Sequence, residues 1–247
     1  MIELQHLSVS YASRAILTDI SATLAESCVT AVMGANGCGK TTLLRCIGGL
    51  LRPTTGSVLL NGQPVLNYPP RQLAQRLAFV RQHAHTDFDF TAHEVVLMGR
   101  NPYQRRLQGE SAEDLAIVEQ AMRQTGTWEL RHAHPAQLSG GELQRVMIAR
   151  AIAQQTPVLL MDEPVSNLDV AHQLETMRLL RTGRWHTTLI VLHDLNLALH
   201  FCDRLLLLHN GSILFHGPVA DGLTPANVRT VYGVDSPVAD GRIVFDY

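Results

Sequence analysis

Lys40 is the one lysine among 20 basic side chains, and it falls in the run Gly34-Ala35-Asn36-Gly37-Cys38-Gly39-Lys40-Thr41-Thr42. Glycines at this spacing let successive backbone N–H groups turn toward a polyphosphate. A compact ammonium then reaches the terminal phosphates, and the Thr41 hydroxyl is offered to Mg²⁺. The planar fork of arginine substitutes poorly there, so a chain that uses arginine elsewhere keeps lysine at this position. A second cluster, Val158-Leu159-Leu160-Met161-Asp162-Glu163-Pro164, ends an apolar run in two adjacent acids. Consecutive strand residues face opposite ways, so Asp162 can hold the metal while Glu163 polarises a water. Alone, an Asp-Glu pair is a solvated strand end. Beside a phosphate-binding loop it supplies the other half of a nucleotide–Mg²⁺ site. A third cluster, Ser139-Gly140-Gly141-Glu142, reads as a capping box ahead of an apolar helix carrying Val146, Met147, Ala149 and Ala153. Its glycines also expose helix N-terminal amides to an anion. One copy has already committed its own loop to its nucleotide, so this spare anion site points to the nucleotide of a second copy.

The elements that must position these groups follow from periodicity. Ile2 to Tyr11 alternates apolar and polar residues as a half-buried strand does, and Cys28 to Met33 is a short buried strand running into the glycine loop. Leu43, Leu44, Ile47, Leu50 and Leu51 then recur at helical spacing, which gives strand, glycine loop and helix in the order the phosphate motif requires. Arg52 to Gly56 reads as a turn, and Ser57 to Leu60 as a strand closed by the hairpin signal Asn61-Gly62. From about His83 to Gln155 the pattern is helical, with Leu115, Val118, Ala121 and Met122 expected on one face of a helix over 111–125. Val158–Met161, Leu189–Leu192 and Leu205–Leu208 are continuous apolar runs, as expected of central parallel strands covered on both faces. Thr224-Pro225 reads as a cap followed by proline at the first helical position. The expected class is α/β, with a helical insertion between the phosphate loop and the later strands.

A formal charge of −2 gives no electrostatic case for nucleic acid. No uninterrupted apolar run approaches the roughly 20 residues needed to cross a bilayer, and the N-terminus lacks the pattern of a secretion signal. Cys28, Cys38, Cys46 and Cys202 show no zinc-like spacing and are read as reduced thiols, with Cys38 the one that alkylation could reach. His83, His85, His93, His132 and His134 lack the spacing and acidic partners of a metal site.

Taken in order along nearly the whole chain, these motifs resemble those of the ABC transporter ATPases. In that resemblance Tyr11 is the aromatic that stacks on adenine, Gly34 to Thr42 the phosphate loop, and Gln82 the glutamine that senses Mg²⁺ and the attacking water. Ser139, Gly140, Gly141 and Glu142 are the family signature. Asp162 and Glu163 are the metal and base carboxylates, Ser166-Asn167-Leu168-Asp169 the loop crossing a dimer interface, and His193 the γ-phosphate contact. Glu142 stands where glutamine is commoner and Val165 where threonine is frequent, and a capping box accepts either residue at the first of these. The resemblance implies a phosphate-loop ATPase core with a mixed sheet, an N-terminal antiparallel β subdomain and an inserted helical subdomain. The expected division is 1–83 and 156–215 for the core, 84–155 for the helical part with the signature, and 216–247 for a C-terminal extension of the core.

The stretch Val96-Leu97-Met98-Gly99-Arg100-Asn101-Pro102-Tyr103, after the Asp-Phe alternation of 87–90, is similar to that of importers for ferric siderophores, haem and cobalamin. The implied protein binds ATP and Mg²⁺, pairs with a second copy of itself, and sits peripherally on the cytoplasmic face of the inner membrane. It drives a separate polytopic permease to which a substrate-binding protein delivers cargo. Import of molybdate or another metal oxyanion is the alternative, followed by a soluble ABC ATPase without a permease.

Overall fold

The structure, a computed structural model, describes residues 1–81, 89–104, 109–183, 185–236, 238–239 and 242–244. The chain forms two compact units, Met1–Tyr68 with His186–Tyr247, and Pro69–Trp185.

The first unit opens with β1 (Ile2–Tyr11), whose buried Ile2, Leu4, Leu7 and Val9 follow the expected alternation. β2 (Arg14–Leu24) runs antiparallel to it. The alternation breaks at His6, where φ is +48°, and opposite it at Asp19, where φ is +51°. The two bulged residues are joined by a 2.8 Å contact from His6 Nδ1 to Asp19 Oδ1. β3 (Cys28–Gly34) is buried from Val29 onward and leads through the glycine loop into α1 (Lys40–Ile47). β4 (Thr55–Leu60) pairs with the other edge of β1 and turns through Asn61 and Gly62 into β5 (Gln63–Pro64). Both turn residues have positive φ, 52° and 77°, as a two-residue type I′ hairpin demands. The expected turn over 52–56 is shorter than read, because β4 already begins at Thr55.

The second unit contains α2 (Pro70–Ala74), β6 (Leu77–Val80), α3 (Ala92–Leu97), α4 (Ala112–Gln124), α5 (Gly140–Ala153), β7 (Val158–Met161) and α6 (Val170–Thr182). β6 and β7 are parallel and in register from Leu77 with Val158 to Val80 with Met161. α4 is capped by Ser111 and buries Asp114, Val118, Ala121 and Met122. Leu115, expected on that face, is 43% exposed. The inward stripe runs through 114, 118, 121 and 122, because Asp114 is drawn inside by Arg100.

The chain returns to the first unit with β8 (Thr187–Val191), α7 (Leu195–Phe201), β9 (Arg204–His209), β10 (Ser212–Pro218), α8 (Val219–Gly222) and α9 (Pro225–Tyr232). A short hairpin follows, β11 (Val238–Ala239) with β12 (Arg242–Ile243). β8 and β9 flank β3 in parallel, and β10 adds to β9 antiparallel, which makes this a mixed sheet. β7 and the inner stretches Leu189–Val191 of β8 and Leu205–Leu208 of β9 read as unbroken apolar runs because neither face meets water, while β3 and β8 also bury threonines, Thr30, Thr187 and Thr188. Among the described residues no helix is long and apolar enough to cross a membrane.

Candidate active site

The sequence candidates divide between the two units. In the first, β3 delivers the chain to Gly34, whose φ of +147° and surroundings admit no side chain. A Cβ there would lie 2.4 Å from the Leu208 carbonyl oxygen and 2.6 Å from Cys38 Sγ. Gly37, at φ +78°, has open space where a Cβ would point. Gly39, at φ +105°, would place a Cβ 2.5 Å from a Leu17 methyl. Gly39 is also the N-cap of α1. With no side-chain cap and no acidic residue in the first turn, the helix leaves its leading amides for a ligand. Lys40 is buried, and its Nζ donates to the carbonyls of Gly34 (2.9 Å) and Ala35 (3.1 Å), which ties the mouth of the loop to itself. Ala35, Asn36, Cys38, Thr41 and Thr42 complete the run. Burial pushes the Cys38 thiol up, against the pull of Lys40, and its side chain is only 7% exposed. Both the burial and the raised pKa disfavour the thiolate that the alkylation expected there would need.

Tyr11 ends β1 and pairs with Arg14 across the hairpin, with its ring 49% exposed and free to stack. His193 lies two residues beyond β8, also exposed. Because β8 runs parallel to β3 with Val191 beside Val32, His193 and the glycine loop leave the sheet at the same edge. That edge, the carboxyl end of parallel strands, is where α/β sheets bind ligands. Asp194 holds the position by accepting the N–H groups of Asn196 (2.8 Å) and Leu197 (2.9 Å), which caps α7.

In the second unit Asp162 is buried at 4% exposure, and its N–H donates to Val80 O at 2.9 Å. Glu163 follows with φ at +49°. A non-glycine residue there costs about 1–2 kcal/mol, and such strain gathers where a side chain must be aimed. Its carbonyl accepts the Ser166 hydroxyl at 3.0 Å, and Gln173 Nε2 donates to Val165 O and Leu168 O at 3.1 and 3.0 Å, so the 163–168 turn is rigidly framed. Asp169 caps α6 by accepting the His172 N–H at 2.9 Å. That bond, with the His172 side chain, holds its carboxyl below the usual range.

The Ser139 box is complete. Ser139 Oγ accepts the Glu142 N–H (3.3 Å), and Glu142 Oε2 accepts both the Ser139 N–H and its hydroxyl (2.8 Å each). These bonds from Ser139 depress the Glu142 carboxyl. Gly140 has nothing within 4 Å of where a Cβ would stand, and Gly141 backs onto Asn167 O at 3.3 Å. The first turn of α5 thus rests on the 166–169 loop with its glycines turned outward. Gln82 lies outside the described residues, as do Asp87 and Phe88 of the Asp-Phe alternation and the histidines 83 and 85.

Two features escaped sequence reasoning. The positive φ of Glu163 has no compositional signal. The Arg100–Asp114 pair, 2.8 Å apart with side chains 7% and 12% exposed, could have been suspected only from two charges each beside buried positions. Among the described residues no cluster of three or more His, Cys, Asp or Glu could hold a metal.

The family model described as ABC transporter matches residues 17–166. The achromobactin transport ATP-binding protein CbrD of Dickeya dadantii is 42% identical over 234 residues, covering 94% of this chain and 87% of that one. The hemin import ATP-binding protein HmuV of Bordetella avium is 40% identical over 247 residues, covering 96% and 94%. Among solved structures, an inward-facing ABC transporter assigned to the metal-chelate type superposes with a TM-score of 0.83 at 26% identity, covering 100% of this chain and 97% of that one. A dimeric ATP-binding cassette in a post-hydrolysis state bound to ADP and Pi superposes with a TM-score of 0.79 at 27% identity, covering 89% and 99%.

Proposed function

The chain belongs to the ABC transporter family of ATP-binding subunits and is an ATP hydrolase; from that premise we propose that it energises import of an iron chelate, haem or cobalamin through a separate membrane permease. The two compact units together make one ATPase domain in this reading, and the subunit sits peripherally on the cytoplasmic membrane face. The observation that supports it is that two helices in one chain begin on glycines, α1 after Gly39 of the glycine loop and α5 at Gly140 and Gly141 behind the Ser139 box, and we read both ends as receiving phosphate. A phosphate-loop kinase or GTPase has use for the first only. The relatives named for achromobactin and hemin transport support an iron-chelate cargo over an oxyanion.

Two copies face head to tail, each offering Ser139, Gly140 and Gly141 to the nucleotide held by the other's phosphate loop. Loop amides and Lys40 grip the β and γ phosphates and offset their charge, while Tyr11 stacks on the base. Glu163 takes the proton of the attacking water, and Gln82 and His193 orient the water and the terminal phosphoryl group for in-line attack. The Asp169 loop carries the signal across the dimer.

The donors assigned to Mg²⁺, the Thr41 hydroxyl, the Asp162 carboxylate and the Gln82 amide oxygen, are all hard oxygens. Few protein oxygens plus substrate phosphates is how Mg²⁺ is ordinarily held. When bound, the ion supplies charge neutralisation on the transferring phosphoryl group. The closed pair is favoured only with ATP in place, so binding and hydrolysis drive a cycle that a permease can use.

The test is co-purification with a polytopic membrane protein and its binding protein, followed by transport in vesicles with ferric siderophore, haem, cobalamin and molybdate. ATP-dependent uptake of one of the first three is expected. Uptake of molybdate alone, or full activity with no membrane partner, would overturn the proposal.

A further inference from the structure

Tyr232 is the last residue of α9 and lies in the same unit as the phosphate loop, at the far end of the sequence from it. The helix presents it rigidly. Thr224 caps the start by accepting the Asn227 N–H at 3.2 Å, Asn227 Nδ2 ties to Gly222 O at 2.8 Å, and Val228 and Val231 are buried. Gly233 closes the end in the left-handed conformation at φ +73°, its N–H bonded to Arg229 O at 2.9 Å. An Arg229–Asp235 ion pair at 3.4 Å braces the turn beyond.

The Tyr232 phenol lies against the Gly34 backbone with the Cys38 thiol beside it. Burial pushes it up to about 12, against the pull of the Gly34 backbone, and the neighbouring Cys38 adds to the rise. Its oxygen is buried and makes no well-formed hydrogen bond. Burying a hydroxyl whose one polar neighbour, the Gly34 backbone, is not in good hydrogen-bond geometry is unfavourable, and such groups in folded proteins call for a reason. A phenylalanine would fill the same space without the cost. The neighbourhood gives the reason. Gly34 is the most tightly enclosed of the loop's glycines, with Cys38 Sγ and Leu208 O standing where its Cβ would be. A shift of Gly34 or Cys38 around a polyphosphate would change what this hydroxyl meets.

We propose that Tyr232 is a positioning residue for the phosphate loop, its hydroxyl becoming a hydrogen-bond partner of the Gly34–Cys38 segment when a nucleoside di- or triphosphate is bound. It touches no substrate and acts through the loop. The inference rests on the assignment of residues 34–42 as the nucleotide site.

The experiment compares Tyr232→Phe with Lys40→Ala in the full chain, by titration with ATP and ADP, steady-state ATPase kinetics and thermal unfolding without nucleotide. Removing this poorly bonded hydroxyl should leave the unfolding midpoint unchanged or raised. Affinity for both nucleotides should fall about fivefold, the worth of one net hydrogen bond. KM should rise by a similar factor with kcat within about twofold, because the loss is of binding common to ground and transition states. A side chain that only supported the fold would instead lower the midpoint. A lowered midpoint, or unchanged affinity in Tyr232→Phe while Lys40→Ala has lost binding, would overturn the role of Tyr232. Unchanged affinity in Lys40→Ala would overturn the site assignment beneath it as well.

Discussion

Breaking the Arg100–Asp114 pair should unfold the second unit selectively, by an amount the geometry sets. Arg100 Nε donates to Asp114 Oδ1 at 2.8 Å, and its Nη1 donates to Ala153 O at 2.8 Å and Gln155 Oε1 at 3.1 Å. Its guanidinium also lies 4.2 Å from the centre of the Tyr103 ring. One side chain therefore joins the turn after α3, the cap of α4 and the end of α5. Removing one partner of a buried pair costs about 3–5 kcal/mol, because the other charge stays desolvated. Arg100 keeps its carbonyl and amide acceptors, so Asp114→Ala falls at the lower end for the charge. It also destroys the capping box with Ser111, worth about 1 kcal/mol. The expectation is about 4 kcal/mol for Asp114→Ala, about 3 kcal/mol for Arg100→Met, and a double variant about 2 kcal/mol better than additive.

Both tryptophans, Trp128 and Trp185, belong to the second unit, so urea unfolding followed by their fluorescence reports that unit directly. The hydrogen bond from Arg100 chiefly holds the Asp114 carboxyl below its usual range. Its contribution is thus fully present above the unfolded value of about 3.9 and is lost as pH falls through the lower folded value. Single variants that each cost under about 1 kcal/mol, or a strictly additive double variant, would show that the two charges are not a coupled buried pair.

Glu163→Gln should bind ATP normally, lose nearly all turnover and accumulate as a nucleotide-trapped dimer on size exclusion; ordinary hydrolysis would remove Glu163 as the base. Lys40→Ala should weaken ATP binding itself, read by direct titration, and retained affinity would contradict the role given to the lone lysine.

What the sequence made legible was what physics forces to be local. Strands β7 and β8 and the inner stretch of β9 are buried, so the apolar runs at 158–161, 189–192 and 205–208 announced them, and β3 was announced by the glycine loop it runs into. The Ser139 box was readable because its partners lie three residues apart. β2 was not readable. Its buried Leu17, Ile20 and Leu24 are spaced three and four apart, the period of a helix, because a bulge at Asp19 breaks the two-residue repeat. Leu115 was placed wrongly for a related reason. A charged residue took the inward position of α4, and only its distant partner Arg100 explains that. The conformation of Glu163 and the approach of Tyr232 to Gly34 depend on contacts remote in sequence, where pattern carries no information.

A site divided between two copies makes rate depend on meeting. Turnover per subunit, measured at saturating ATP across a dilution series spanning the dimer dissociation constant, should fall steeply as the chain becomes monomeric. The same specific rate at every concentration, with monomer verified by light scattering, would contradict the account at its centre.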